Sequence, residues 1–463
     1  MRDLKNYKGS VSIFITLTII TIQSLLFFLT WNLVYNDEMR YSPFYNKGLI
    51  LLVLIYAIMY ITFSNVYGGY KVGYLRVSDI IYSQIVSLVF VNIITYAQVS
   101  LMDRRLLNPL AFILMTIVQV FCTVIWAYTS NRFYFKVFPP INIAIVFGNK
   151  NVDSFIDKMG KRWDKYKICK TVDVGMGIEA VMAEIEGYDG VVIYDVESFT
   201  RNRILKECYK KSISVYMTPK ISDIIIGSSD EVHLFDTPLF LSKNTGMSYE
   251  QKFLKRAIDI IASLVLIILT SPIMLLVAVS IKLYDKGPVL FKQNRLTIDN
   301  KIFEIYKFRS MIIEAEKDGI PLMASKDDDR ITKIGKVIRK IRFDELPQLF
   351  NVLIGDMSLV GPRPERPEIA SAYIEIIPEF EFRTKVKAGL TGYAQIMGKY
   401  NTRAYDKLKL DMMYIEKFSL LLDLKILLMT FKYLFTPSNE ESTEGFDSSE
   451  LSAEYECSVT KKD

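Results

Sequence analysis

Four long apolar runs, at about 11–35, 49–67, 80–99 and 107–128, fill the first third of the chain. A bilayer-crossing helix needs about 20 mostly apolar residues, because the hydrocarbon layer is about 30 Å thick and a helix rises about 1.5 Å per residue. The first, second and fourth runs meet that requirement. The third carries Ser83, Gln84, Ser87 and Asn92, which lipid cannot satisfy, so these positions are expected to face a neighbouring helix. The first run is too long for the apolar stretch of a cleavable leader and has no small-residue cleavage site. A four-helix transmembrane bundle over 1–135 is expected, in preference to a buried soluble core.

The basic residues give the bundle a side. Arg2, Lys5 and Lys8 precede the first run, Lys71 and Arg76 follow the second, and Arg132 and Lys136 follow the fourth. Arg40, Lys47, Arg104 and Arg105 occupy the other two loops. The bias slightly favours both ends of the bundle on the inner side. Four crossings return the chain to its starting side, so residues from about 131 onward are expected in the cytoplasm.

Composition narrows the chemistry. Apolar residues make up 51% and charged residues 23%, which excludes wholesale disorder. The net charge of +6 is modest. A free-standing nucleic-acid binder is more basic, so no nucleic-acid partner is expected, and anionic lipid or phosphate partners fit better. Cys122, Cys169, Cys208 and Cys457 lie far apart, with no CxxC pair, so neither a disulfide framework nor a zinc site is expected. His233 is the single histidine and is read as structural. Any catalysis must therefore run mainly on carboxylates, lysines, arginines or hydroxyls.

From Pro139 the texture changes. Strand-like runs at 141–148, 166–174, 190–196 and 213–219 alternate with helical stretches at 152–160, 177–186 and 199–211. That alternation predicts a parallel, doubly wound, Rossmann-like domain over 139–245. Its first turn holds only Gly148 of the several glycines a dinucleotide-binding turn requires, so a packing or regulatory role is expected over NAD binding.

A fifth apolar run, 260–281, is long enough to cross, but Pro272 sits in its middle after Ser271. Proline removes a backbone donor and crowds the preceding turn. A fifth full crossing would put everything after 285 outside, away from any nucleotide pool. A re-entrant helix over 250–284, hinged at Ser271 and Pro272, keeps both ends at the inner interface, with Lys255 and Arg256 as headgroup anchors. The other reading is an ordinary membrane helix that tolerates its proline.

Residues 285–436 hold the densest signals. RITKIGKVIRKIRF (330–343) puts Ile334, Val337, Ile338 and Ile341 on one helical face, with lysines off it, suited either to a membrane interface or to an ordinary surface helix. Asp344-Glu345 followed by Pro347 reads as a helix start with Asp344 as N-cap. Backbone N–H groups at a helix start attract phosphate, and Arg363 is stiffened by Pro362 and Pro364. One carboxylate can attack phosphorus, and its neighbour can help hold Mg²⁺.

These motifs occur in one order: Lys255-Arg256-x-x-Asp259, Ser271-Pro272, Gly287-Pro288-Val289, Phe291-x-Gln293-x-Arg295, Lys307-Phe308-Arg309-Ser310-Met311, Asp344-Glu345-Leu346-Pro347-Gln348-Leu349, Asp356 to Pro364, Gly389-Leu390-Thr391-Gly392 and Asp411-x-x-Tyr414-Ile415. Residues 253–435 thereby resemble the bacterial sugar transferase family, the polyprenyl-phosphate glycosyl-1-phosphate transferases. The N-terminal spans and α/β insert resemble its large multi-domain form. Two departures stand out. Arg342-Phe343 replaces the usual Ser-Leu and is expected to alter packing beside the acidic pair. Ala388 replaces the usual Pro and is expected to loosen a turn.

The resemblance implies a multi-pass protein of the bacterial inner membrane with a mainly helical cytoplasmic catalytic domain over 285–436. It implies transfer of a sugar-1-phosphate from a UDP-sugar, glucose or galactose favoured, to undecaprenyl phosphate, with release of UMP, as the first membrane step of capsular or exopolysaccharide synthesis. Asp344 would be the nucleophile, Glu345 with Asp344 would hold Mg²⁺, and Asp411 would be a further catalytic member. Arg363, with Pro362 and Pro364, would contact phosphate, as would Lys307, Arg309 and Arg330. A homodimer is compatible with the resemblance. The alternatives are a nucleotide-sugar oxidoreductase or dehydratase built on the Rossmann-like domain, and a non-enzymatic scaffold for polysaccharide assembly. The acidic stretch 437–463 is expected to be disordered.

Overall fold

Apolar helices dominate the beginning of the computed structural model, which describes residues 7–39, 46–148, 152–242, 246–312, 330–398 and 402–435. Helix α1 (Lys8–Thr30) runs on through a π turn to Glu38. It is followed by α2 (Asn46–Tyr67), α3 (Val77–Met102) and α4 (Leu110–Val137). All four are long and apolar enough to cross a membrane. Ser83, Gln84, Ser87 and Asn92 are buried, as their placement in the third run predicts. The polar interior is a connected network. Asn92 donates to Gln119 at 2.8 Å, Gln119 to the Tyr56 hydroxyl at 2.8 Å, and Tyr56 back to Asn92 at 3.0 Å. In a medium without water such groups must satisfy one another, and this fixes which faces of the helices meet.

After α4 come β1 (Ile141–Phe147), α5 (Asp153–Gly160), β2 (Tyr166–Asp173), α6 (Ile178–Glu184), β3 (Gly190–Tyr194), α7 (Ser198–Lys210) and β4 (Ser214–Met217). The four strands form one parallel sheet in the order β2-β1-β3-β4, the Rossmann-like arrangement that the alternation predicts. The Gly148 N–H donates to the Tyr194 carbonyl at 3.2 Å and so closes the end of the sheet. Lys8 lies over the rings of Tyr74 and Tyr134, and Lys165 lies 4.3 Å from the Tyr74 centroid. The start of α1, the loop after α2, the end of α4 and the sheet therefore share one end of this unit.

The chain divides into two compact units, Met1–Thr218 and Pro219–Asp463. Within the second, α8 (Ile221–Ile226) buries Ile221 and Ile224 in a core shared with Leu349, Val352 and Met412. Residues 219–242, which the sequence reading placed in the Rossmann-like insert over 139–245, thus belong to the second unit. The β5 (Asp230–Leu234) and β6 (Thr237–Leu241) hairpin follows, with His233 exposed on it.

Helix α9 (Tyr249–Asp285) is continuous through Pro272. Pro272 cannot donate to the Ile268 carbonyl four residues back. The Ser271 hydroxyl does so instead, at 2.8 Å. The Ser-Pro pair thus satisfies the carbonyl that the proline leaves open, so the expected break is not an end of the helix. One face of α9 packs on its own unit along its length. Ala262, Leu266 and Ile267 join the main core, and Met274, Val277 and Ile281 meet Phe308 and Ile338. Ile261, Leu264, Val265, Ile268, Leu269, Leu275 and Leu276 point away and are exposed.

The remaining elements are β7 (Leu290–Leu296), β8 (Ile302–Phe308), α10 (Lys333–Lys340), α11 (Gln348–Ile354), β9 (Ser358–Val360), α12 (Pro367–Ile376), β10 (Gly389–Thr391), α13 (Tyr393–Met397), α14 (Ala404–Glu416) and α15 (Leu420–Phe435). Helix α10 buries only part of its aliphatic face. Ile338 is buried and Ile334 partly so, but Val337 and Ile341 are 60% and 45% exposed. Their face carries Lys333, Lys336 and Lys340, all exposed. The acidic stretch 437–463 lies outside the described residues.

Candidate active site

The acidic pair sits in a short 3-10 turn, Phe343–Glu345, between α10 and α11. Asp344 is therefore not the cap of α11; Pro347 occupies that place. Helix α11 is tied to β8 through Asn351. Its side chain donates to the Glu304 carbonyl at 2.7 Å and accepts the Tyr306 N–H at 3.0 Å. That tie brings Lys307, the next residue on β8, to the acidic pair. Nothing in the sequence marked Asn351, which falls between the motif ending at Leu349 and the one beginning at Asp356.

Glu345 collects the cations. Its Oε1 accepts from Arg363 Nη2 at 2.7 Å and from Lys307 Nζ at 3.2 Å. Arg342 Nη1 stands 4.0 Å from Oε2. Burial raises the Glu345 pKa, but Arg363 and Lys307 overcome it and hold the carboxyl well below the usual range. Asp344 differs. Burial and then the Glu345 charge push its pKa up, against Lys307, Arg339 and Arg363. Two adjacent carboxylates are thus driven apart, one locked as an anion and the other without a hydrogen-bond partner among the described residues.

Arg363 is held by its backbone. Four successive carbonyls are occupied from different elements: Pro362 by the Gly389 N–H at 2.9 Å, Arg363 by Arg383 Nη2 at 3.0 Å, Pro364 by Arg295 Nη1 at 3.1 Å, and Glu365 by the Leu296 N–H at 3.0 Å. The glycine motif serves this turn. A Cβ on Gly389 would come within 2.0 Å of the Gly361 nitrogen, and one on Gly392 within 2.2 Å of the Gly361 carbonyl oxygen. Ala388 does not loosen the turn. Its N–H donates to Thr297 Oγ1 at 3.2 Å, a bond that proline could not make.

Several expected site residues lie elsewhere. Asp411 is 1% exposed and accepts from Arg383 Nε at 2.7 Å, so it supports Arg383 behind the Arg363 turn. Burial raises its pKa against the Arg383 charge. Glu365 and Lys407 pair in the same buried cluster, and Arg383 Nη1 is 3.5 Å from Glu365. Arg309 is buried and paired with Asp285 at the end of α9. Arg330 lies outside α10, where its carbonyl accepts the Ile312 N–H at 2.9 Å. Lys255 and Arg256 are not headgroup anchors. Lys255 is buried and donates to Asp423 at 2.5 Å and to the Val360 carbonyl at 3.0 Å. Arg256 donates to the Val352 and Leu353 carbonyls at 2.7 and 2.8 Å. With Asp259, which accepts the Leu359 N–H at 3.0 Å, they fasten α9 to α11 and β9.

Residues 250–437 match the family model described as Bacterial sugar transferase. The chain is 43% identical over 237 residues to the UDP-N-acetylgalactosamine-undecaprenyl-phosphate N-acetylgalactosaminephosphotransferase of Aeromonas hydrophila, covering 50% of this chain and 55% of that protein. It is 43% identical over 204 residues to the UDP-glucose:undecaprenyl-phosphate glucose-1-phosphate transferase of Klebsiella pneumoniae, covering 43% of this chain and 42% of that one. An uncharacterized sugar transferase of Bacillus subtilis is 41% identical over 191 residues, which cover 41% of this chain and 91% of that protein. The chain thus spans about half the length of the first two relatives.

Proposed function

We propose a reaction for this chain, which belongs to the bacterial sugar transferase family: transfer of a sugar-1-phosphate from a UDP-sugar to undecaprenyl phosphate, with release of UMP. The reading rests on one observation, the pairing of Glu345 with Arg363 and Lys307 beside an unpaired Asp344. Relatives named for glucose and for N-acetylgalactosamine support a UDP-hexose donor.

In the proposed first step an Asp344 oxygen attacks the phosphorus that carries the sugar. The bond from that phosphorus to the bridging oxygen breaks, its electron pair leaves on UMP, and an aspartyl phospho-sugar forms. In the second step an oxygen of undecaprenyl phosphate attacks the same phosphorus and the aspartyl bond breaks, restoring the carboxylate. Attack by an anion on an anion needs fixed positive charge, which Arg363 and Lys307 supply. Arg363 sits on a turn whose carbonyls are all tied down, so little reorganisation is needed.

The residues fit Mg²⁺ arriving with the diphosphate. Among the described residues Glu345 Oε2 accepts no hydrogen bond and has only Arg342 at 4.0 Å, Asp344 has no hydrogen-bond partner, and no group of three or more metal-ligating acids, histidines or cysteines occurs. Mg²⁺ commonly takes one or two carboxylates plus phosphate oxygens, and here it would add charge neutralisation.

We also read α9 as re-entrant, bending at Ser271 and Pro272 within the continuous helix so that it enters and leaves on the cytoplasmic side. Support comes from its two ends, since Lys255 bonds β9 and Asp285 bonds Arg309 of the same catalytic unit. UMP release from UDP-hexoses, with and without undecaprenyl phosphate, tests the reaction. Asp344→Asn is expected to abolish it.

A further inference from the structure

We propose that Arg342 is a substrate contact whose guanidinium takes a phosphate oxygen of a reacting partner beside the Asp344–Glu345 pair. This inference rests on the transfer reaction proposed above.

Arg342 forms the corner between α10 and the turn that carries the acids. Its backbone lies at φ 55°, ψ 26°, in the left-handed region. Glycine or asparagine makes such a corner more cheaply. An arginine held there points to a use for its side chain. That use is not packing. Phe343, which departs from the family pattern together with Arg342, packs on the Met274–Ile281 cluster. The Arg342 side chain is instead 45% exposed.

Nor is it needed to neutralise Glu345. Arg363 and Lys307 already occupy Oε1 at hydrogen-bond distance, whereas Arg342 stands at 4.0 Å from Oε2. Arg342 is thus a half-exposed cation, only loosely paired with Glu345, at the rim of the proposed phosphate site. A planar guanidinium can engage two phosphate oxygens at once. The neighbouring outer stripe of α10, Lys336, Val337, Lys340 and Ile341, is basic and aliphatic together. Two substrates offer the right chemistry at this rim, the diphosphate of the sugar nucleotide and the monoester phosphate of the lipid.

The test uses the full chain in lipid nanodiscs with Arg342→Ser, Arg342→Gly and Arg342→Lys. The glycine variant removes the guanidinium while easing the left-handed backbone, so thermal unfolding should not worsen. UMP release is followed while the UDP-sugar and undecaprenyl phosphate are varied separately. Loss of a charge-assisted hydrogen bond should raise one KM by roughly tenfold or more in the serine and glycine variants. Lysine should fall between them and the wild type. A rise confined to the UDP-sugar identifies the diphosphate, and one confined to undecaprenyl phosphate identifies the lipid. Both KM values staying within about twofold, with turnover intact, would overturn the assignment. A wild-type chain that releases no UMP from any UDP-hexose would sink the transfer reading itself, and this assignment with it.

Discussion

Glu345 Oε1 accepts from Arg363 Nη2 at 2.7 Å, across 18 residues of chain. The acidic pair and the Pro-Arg-Pro turn, separate motifs in the sequence, are therefore one object. Replacing Arg363 by Met removes both the partner of Glu345 and the proposed phosphate contact. It should lower kcat/KM for UMP release by roughly 10²–10³-fold, the scale for losing one preorganised donor. A change below about threefold would separate Arg363 from the chemistry.

The pH profile should follow Asp344. Its carboxyl must be ionised to attack, and its pKa is raised by burial and by Glu345. Activity should thus fall as pH drops, on a limb above the ordinary aspartate value of 3.8. Glu345→Gln removes a raising charge and should move whatever limb remains to lower pH. Lys307→Met removes a lowering charge and should move it higher. Stopped-time UMP assays from pH 4 to 8 would detect movement in the wrong direction.

Arg383 separates stability from turnover. Arg383→Met leaves Asp411 buried without its partner and should cost about 3–5 kcal/mol. Adding Asp411→Leu should recover most of that in thermal unfolding. The Arg363 carbonyl would still lack its Arg383 donor, so UMP release should stay about tenfold or more below wild type. Recovery of both stability and full turnover would leave Arg383 a purely structural role.

Ser271 and Pro272 form a testable pair. Ser271→Ala strands the Ile268 carbonyl and should lower stability by about 1 kcal/mol. In the Ser271→Ala/Pro272→Ala double variant the new Ala N–H can serve that carbonyl, so the loss should disappear. Thermal unfolding in nanodiscs of all four proteins gives the cycle. Simple additivity of the two single effects would contradict the compensation.

Local signals carried much of this structure in the sequence. Twenty-residue apolar runs gave the spans, the polar positions of the third run gave its buried face, and the strand–helix alternation gave the parallel sheet. The order of motifs gave the acidic pair and Arg363. What escaped were contacts between distant residues. Asp411 looks like a free catalytic acid until Arg383 is found at its carboxylate, and Lys255 looks like a headgroup anchor until Asp423, 168 residues away, is found beside it. Four aliphatic residues at helical spacing in α10 do not reveal that only Ile334 and Ile338 meet α9 and β8. Asp344 was read as a cap because the left-handed turn at Arg342, which displaces it, has no signature in an arginine.

The aspartyl intermediate is the centre of the proposed mechanism. The full chain is incubated with a UDP-hexose but no undecaprenyl phosphate, quenched, digested and analysed by mass spectrometry. A hexose phosphate adduct should appear on the peptide containing Asp344, be absent from Asp344→Asn, and vanish on addition of undecaprenyl phosphate. Steady UMP release by the wild type with that peptide never modified, or wild-type turnover by Asp344→Asn, would contradict it.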